Sequence, residues 1–133
     1  MAKLVLTDAV VTLGGTDISA NVAAVTISST AAEVETTAFG QGAVTRTGGL
    51  KDNSVTLSIH NDYSAIEGLV YPLIGSTATI VVKSSSASVG TANPSYTATV
   101  LVTEWTPING AVGELNTADV TWPISGTITK ATA

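Results

Sequence analysis

A period-two pattern near the C-terminal end constrains the fold of this chain most strongly. The apolar residues there stand at even positions, and they are Ala118, Val120, Trp122, Ile124 and Ile128. Thr, Ser and Asp fill most of the odd positions between 117 and 129. Because side chains alternate between the two faces of a sheet, this pattern predicts a strand with one apolar face. Pro123 and Gly126 interrupt it and predict one long strand with an edge or bulge and a bend.

Similar alternation recurs along the chain. It predicts further strands over residues 23–28, 54–60, 78–83 and 96–102, and a short hairpin over residues 10–18 with Gly14-Gly15 at its turn. A chain of 133 residues is expected to form one domain. The sequence therefore predicts a mainly β protein, a β-sandwich or distorted barrel, in a single domain over residues 1–133.

One segment has helical spacing instead. Its apolar residues fall on one side of a helix, and they are Ile66, Leu69, Val70 and Leu73. Asp62 or Ser64 can cap the start, and Ser64-x-x-Glu67 matches a capping box. Pro72 keeps the segment short, and Gly75 is placed to end it. The pattern predicts one short flanking helix at about residues 63–74.

Residues 38–53 predict a long glycine-rich loop. Their sequence is AFGQGAVTRTGGLKDN, with four glycines, the sole phenylalanine and the sole arginine of the chain. A loop of this length without its own secondary structure is usually functional or disordered. Phe39 is predicted to contact a neighbouring subunit, whereas Trp122, in phase with the apolar face, is predicted to lie in the core. Trp105 fits a core or an interface.

The charge content is low. Only 11% of the residues are charged, against about a quarter in an ordinary soluble domain, and the net charge is −5. Neutral, hydroxyl-rich strand edges pair with other chains unless something blocks them. The composition therefore predicts that copies of the chain cover much of its surface. Five basic residues cannot form a phosphate-binding patch, so specific DNA binding is not expected.

Catalytic and metal sites have little support. The chain has no cysteine and one histidine, too few ligands for a typical transition-metal site. His60, Asp62 and Glu104 are the one conceivable set, but a strand end and a helix start explain the first two equally well. No Gly-x-Ser-x-Gly, Walker or calcium-loop spacing occurs. We expect neither an enzyme nor a cofactor or metal.

The acidic residues leave two interpretations open. Singly, each fits a solvated position at a strand end or turn. Together they could form a repelling wall around a polyanion. The residues in question are Glu33, Glu35, Glu104, Glu114 and Asp119. The apolar content is spread through strands, and no stretch reaches the roughly 18 apolar residues of a spanning helix. Neither a membrane partner nor a signal peptide is expected. We expect the protein to be made in the cytoplasm.

Several stretches, taken in order, resemble the major tail proteins (tail tube proteins) of long-tailed siphophages, particularly those of actinobacterial hosts. They are ETTAFG at 35–40, RTGGLKD at 46–52, VTL at 55–57, NP at 93–94 and WPISG at 122–126. The likeness covers nearly the whole chain, and the order and spacing of the stretches carry it.

The resemblance implies a structural virion protein without catalytic residues. Proteins of this family form a β-sandwich with one flanking helix. They assemble as hexameric rings, which stack into a hollow tube for DNA passage during ejection. Implied partners are copies of the chain, the tape measure protein, and the tail terminator and tail tip proteins, with DNA as transient, non-specific cargo.

In that family a loop between two inner strands reaches the adjacent ring, and residues 38–53 occupy the matching place. The contact candidates are Thr37, Phe39, Gly40, Gln41, Gly42, Arg46, Gly48, Gly49, Leu50 and Lys51. The family lumen tends to be acidic, and the lumen candidates are Glu33, Glu35, Glu104 and Asp119. The expected location is the virion tail.

The residues leave two other classes of function open, a binding module and a small enzyme. An immunoglobulin-like adhesin or a virion decoration domain shares the sandwich and the threonine content. Either is expected to be stable as a monomer with solvated edges. The enzyme would be a small hydrolase, but the chain lacks a plausible set of catalytic residues for one.

Overall fold

The computed structural model describes residues 5–132 and is mainly β. Its eight strands are β1 (Val10–Leu13), β2 (Thr16–Asp17), β3 (Val22–Glu35), β4 (Arg46–His60), β5 (Thr77–Lys83), β6 (Ser95–Leu101), β7 (Thr117–Ile124) and β8 (Thr129–Ala131). A short 3₁₀ turn, Ser19–Asn21, precedes β3. The prediction of a mainly β fold with one short helix is confirmed.

All strands belong to one open antiparallel sheet. The order is β2-β1-β5-β6-β7-β4-β3, and β8 pairs with β6 beside this path. β6 and β7 meet at a single register pair, Val100 with Ile124. That junction divides the sheet into two halves, one of β1, β5 and β6 and one of β7, β4 and β3. β3 forms one end of the sheet and β2 the other.

The two halves share one buried cluster. Strand alternation directs every second side chain inward, so Leu57 of β4 and Trp122 of β7 are buried together with Leu13, Ile80 and Val100 of the other half. Burying one such side chain stabilises the fold by roughly 1.5–3 kcal/mol. The core position predicted for Trp122 is confirmed.

The predicted helix is present as three consecutive turns. They are a π turn (Tyr63–Glu67), an α turn (Gly68–Val70) and a 3₁₀ turn (Tyr71–Leu73). Asp62 caps the start, because its carboxylate accepts hydrogen bonds from the backbone N–H groups of Ser64 (2.9 Å) and Ala65 (3.3 Å). The predicted capping box is wrong, since the Glu67 carboxylate instead accepts from Trp105 Nε1 at 2.6 Å.

The predicted hairpin at the start of the chain is confirmed. β1 and β2 pair across Gly14 and Gly15, whose φ values are +59° and +87°. Tight two-residue turns of this hand need positive φ at both central residues, which glycine adopts without steric cost.

Two sequence predictions are corrected. The single long strand at the C-terminal end is two strands, because Gly126, at φ +99°, turns the chain after Ile124 and β8 pairs with β6. The glycine-rich loop over 38–53 is shorter than predicted, because Arg46–Asn53 belongs to β4 and pairs with β3. The alternation was not visible there because both faces contact solvent over residues 46–52.

Candidate assembly surface

β3 and β4 extend beyond the body of the protein as a two-stranded ribbon. Every residue from 28 to 52 is exposed, and we call this segment the arm. Its β3 strand, from Ser28 to Glu35, pairs with β4 from Ser54, just outside the arm, to Arg46. At roughly 3.4 Å per residue the paired part is about 25 Å long. The arm therefore contributes none of the buried cluster.

Local bonds hold the tip of the arm. Thr36 donates its N–H to the Thr45 carbonyl (2.8 Å), and the Ala38 N–H is accepted by Gln41 Oε1 (2.6 Å). Arg46 forms an ion pair with Glu33 on the paired strands. Exposed ion pairs contribute only about 0–1 kcal/mol. An isolated two-stranded ribbon is marginally stable in water at best. A partner that covers the arm would therefore add much to its stability.

A bulge gives the arm two different faces. Ala31 pairs with Lys51 and Glu33 with Gly48, so Gly49 and Leu50 together oppose Ala32. Strand alternation then sorts the side chains between the faces. One face carries the charges of Glu33, Glu35, Arg46 and Lys51. The other carries Ala32, Val34 and Leu50, and Leu50 is 88% exposed.

Within the described residues, both long edges of the arm lack a strand partner. β3 is the end strand of the sheet, and β7 pairs with β4 only over residues 53–60. The fourteen residues of β3 include no proline and no lysine, and their only charges are Glu33 and Glu35. Proteins usually protect an exposed edge with charges, proline or a very short strand. β3 has almost none of these protections.

The structure brings all the predicted contact residues together in the arm. Thr37, Phe39, Gly40, Gln41 and Gly42 lie in its tip, and Phe39 is fully exposed. The others lie on β4, and they are Arg46, Gly48, Gly49, Leu50 and Lys51. Sequence reasoning missed the β3 side of the arm, including Ala32 and Val34. The signal was the run without glycine or proline over residues 16–39, which includes all of β3.

The four predicted lumen residues do not lie on one surface. Glu33 and Glu35 share the charged face of the arm. Asp119 pairs with Ser58 on the opposite face of the sheet. The Glu104 carboxylate accepts from the Thr121 backbone N–H at 2.8 Å. Glu114, the further acidic residue, is exposed in the loop before β7.

The outer face of β3, β4 and β7 is rich in hydroxyl groups. Its side chains include Thr26, Ser28, Thr56, Asp119 and Thr121, and they lie opposite the buried cluster. Thr56 and Thr121 hydrogen-bond across the strands at 3.2 Å. This face offers polar contacts without positive charge.

Each of the three residues in the conceivable catalytic set has a structural role. His60 ends β4 opposite Thr117, Asp62 caps the short helix, and Glu104 is bound to the edge of β7. Within residues 5–132 no three His, Cys, Asp or Glu side chains are grouped to hold a metal ion.

A depression of about 390 Å³ lies between the first strands and the start of β3. Its two carboxylates are engaged with nearby serines. Hydrogen bonds from the Ser86 hydroxyl and N–H lower the pKa of Asp8, and those from Ser19 lower the pKa of Asp17. The bonds to Asp17 hold a local turn, whereas those to Asp8 join the segment before β1 to the loop after β5.

Among residues 5–132, no helix has the length and apolar character needed to cross a bilayer. Comparison with protein-family models gave no match, and comparison with curated proteins gave no similar sequence.

Proposed function

We propose that this chain is a structural subunit that polymerises with its own copies, as the major tail tube protein of a long-tailed phage. The observation that carries the proposal is the arm. Residues 28–52 are wholly exposed and present two strand edges that no strand within residues 5–132 pairs with. A polymer would pair those edges and cover the apolar side chains of the arm.

The two free edges favour a ring or tube over a simple dimer. The β3 edge of one copy can pair with the arm portion of the β4 edge, residues 46–52, in the next copy. Because the two edges differ, such a contact leaves one of each kind open and repeats until a ring closes. A hexamer is the ring number that the tail tube resemblance implies.

The tip of the arm supplies a second contact, between stacked rings. Phe39 is fully exposed there, and burying a phenylalanine contributes up to about 3 kcal/mol. Ordering the tip backbone costs roughly 1–2 kcal/mol per residue, which contacts in the polymer must offset. The tape measure, terminator and tip proteins are further partners in this proposal.

The low positive charge suits a conduit for DNA. The chain has ten acidic and five basic residues, so passing DNA would meet few cations that could hold it. The alternative function, an immunoglobulin-like adhesin or a decoration domain, predicts a stable monomer. The unprotected β3 edge argues against that alternative.

A proline at the β3 edge tests the proposal. The Thr36 N–H points across the ribbon, so the N–H of Ala31, five residues away, points out of the edge. Ala31→Pro removes this donor and leaves the ribbon intact. Ala31→Val, the matched control, keeps the N–H. We expect rings or tubes from the wild type and A31V in negative-stain microscopy, and monomers from A31P. A monomeric wild type at high concentration, or tubes from A31P, would contradict the proposal.

A further inference from the structure

The outer edge of β7 is closed by the loop of residues 102–116, which we call the β6–β7 loop. β4 pairs with β7 along its whole length on one side. On the other side β6 meets β7 only at Ile124. No strand in the described part of the chain lies beside the remaining edge of β7. Two residues of the β6–β7 loop, Glu104 and Asn109, lie against it instead.

Glu104 occupies the position that an added strand would need. Its carboxylate accepts the outward N–H of Thr121 at 2.8 Å. Its backbone carbonyl accepts Trp122 Nε1 at 2.9 Å, and Trp122 is fully buried. The core therefore fixes the backbone of Glu104, and the carboxylate takes the hydrogen bond that a carbonyl of a new strand would otherwise accept.

The rest of this edge is closed by other means. Thr117 donates its N–H to the Asn109 carbonyl (3.3 Å), and its own carbonyl accepts Asn109 Nδ2 (3.0 Å). Pro123 has no N–H to offer. Asp119, which lies between Thr117 and Pro123 on β7, adds a carboxylate. Each of these features is a known way of blocking an edge.

The contrast with β3 gives the inference. β3 offers fourteen residues without comparable protection, whereas every part of the β7 edge is covered or charged. We infer that Glu104 guards the β7 edge against strand addition by a second copy and so directs assembly to the arm. The claim that assembly is directed to the arm rests on the proposed function. The claim that Glu104 blocks the β7 edge does not.

Three substitutions separate the hydrogen bond from the charge. Glu104→Ala removes the acceptor. Glu104→Asp keeps the charge but is one methylene too short to reach Thr121. Glu104→Gln loses the charge and keeps an acceptor oxygen. In the monomeric A31P background, we expect the Thr121 amide to exchange at least about tenfold faster in E104A and E104D, and at the parent rate in E104Q.

Association of the same proteins provides the second readout. We expect E104A/A31P and E104D/A31P to form oligomers in size-exclusion chromatography with light scattering, with Asp119 and Thr121 amides protected in the associated species. E104Q/A31P is expected to remain monomeric. If E104A does not fold, the comparison of E104D with E104Q carries the test. Faster Thr121 exchange without association, or association of E104Q as well, would overturn the inference.

The results differ according to whether the inference about Glu104 or the proposed function is wrong. If A31P itself assembles, the arm is not the principal interface, and the Glu104 variants are then compared for protection of Thr121 within those assemblies. Greater protection of the Thr121 amide in E104A and E104D than in E104Q would support the inference that Glu104 blocks the β7 edge. Equal protection overturns it.

Discussion

Val34 Cγ2 lies 3.0 Å from the point that a β-carbon on Gly49 would occupy, and Ala32 Cβ lies 3.2 Å from the same point. The bulge of β4 thus brings Gly49 against the apolar face of β3. Val34 could rotate away, but the Cβ of Ala32 moves only with its backbone. A side chain at Gly49 must therefore distort the ribbon.

Gly49→Ala is expected to impair assembly, and Gly48→Ala is its matched control. Nothing lies within 4 Å of a β-carbon on Gly48. Both changes reduce the entropy of the unfolded chain by a similar amount, worth about 0.4–1 kcal/mol. We expect a higher critical concentration for G49A, measured by light scattering, and no increase for G48A. Equal critical concentrations would show that the close approach of Gly49 to Ala32 and Val34 is unimportant for assembly.

Removing the arm is expected to leave a folded monomer. Thr30 and Asp52 are register partners whose backbone groups point towards each other, so Asn-Gly in place of residues 31–51 would close them as a tight hairpin. Asn53 is retained because it is 3% exposed and donates Nδ2 to the Gly126 carbonyl at 3.0 Å.

Circular dichroism melting and light scattering check the armless chain. We expect cooperative unfolding and a monomer at every concentration tested. Loss of the cooperative transition would mean that the arm stabilises the core despite its exposure. Tubes from the armless chain would place the interface elsewhere.

Phe39→Ser is expected to weaken assembly without changing the stability of the monomer. The control is Val112→Ser, because Val112 is also fully exposed but lies outside the arm. A buried phenylalanine contributes up to about 3 kcal/mol, and 1.4 kcal/mol corresponds to a factor of ten. We expect the critical concentration to rise at least about tenfold for F39S and to stay constant for V112S. An unchanged value for F39S would leave the tip outside the interface.

The cap of the short helix predicts a pH dependence. Hydrogen bonds from the Ser64 hydroxyl and N–H lower the pKa of Asp62 below its usual 3.8. A lowered pKa in the folded state stabilises the protein above the unfolded value, and this contribution disappears as the pH falls through the folded value.

Asp62→Asn isolates this contribution, because asparagine caps a helix about as well but does not titrate. We expect the wild type to melt above D62N at pH 7 and the difference to shrink below about pH 4. Asp8 and Asp17 titrate in the same direction in both proteins and cancel in the comparison. A difference that is constant from pH 7 to pH 2.5 would contradict this assignment.

The sequence predicts best those elements that have one buried face. Leu57 and Trp122 lie on strands whose alternate residues are buried, and the period-two pattern located both strands. The arm was partly missed because Ala32 and Val34 face solvent, as do their neighbours, so burial imposed no alternation there.

Pairing between distant segments leaves no local pattern in the sequence. The break after Ile124 was predicted only as a bend, because the preference of β8 for β6 depends on the position of the whole sheet. Glu104 looked like a free acidic residue, since nothing near it in the sequence reveals that Thr121 lies beside it. The contact candidates rest on the glycines and Phe39 clustered within one short segment and on the tail tube resemblance, and their contact role stays a prediction.

The central claim is that copies of the chain complete the edges of the arm. Hydrogen exchange at the outward amides of Ala31 and Glu33, compared between monomer and polymer, tests it most directly. We predict near-random-coil exchange in the monomer and at least about hundredfold slower exchange in the polymer. Equal exchange in both states would contradict the account, because the β3 edge would then remain open in the assembled protein.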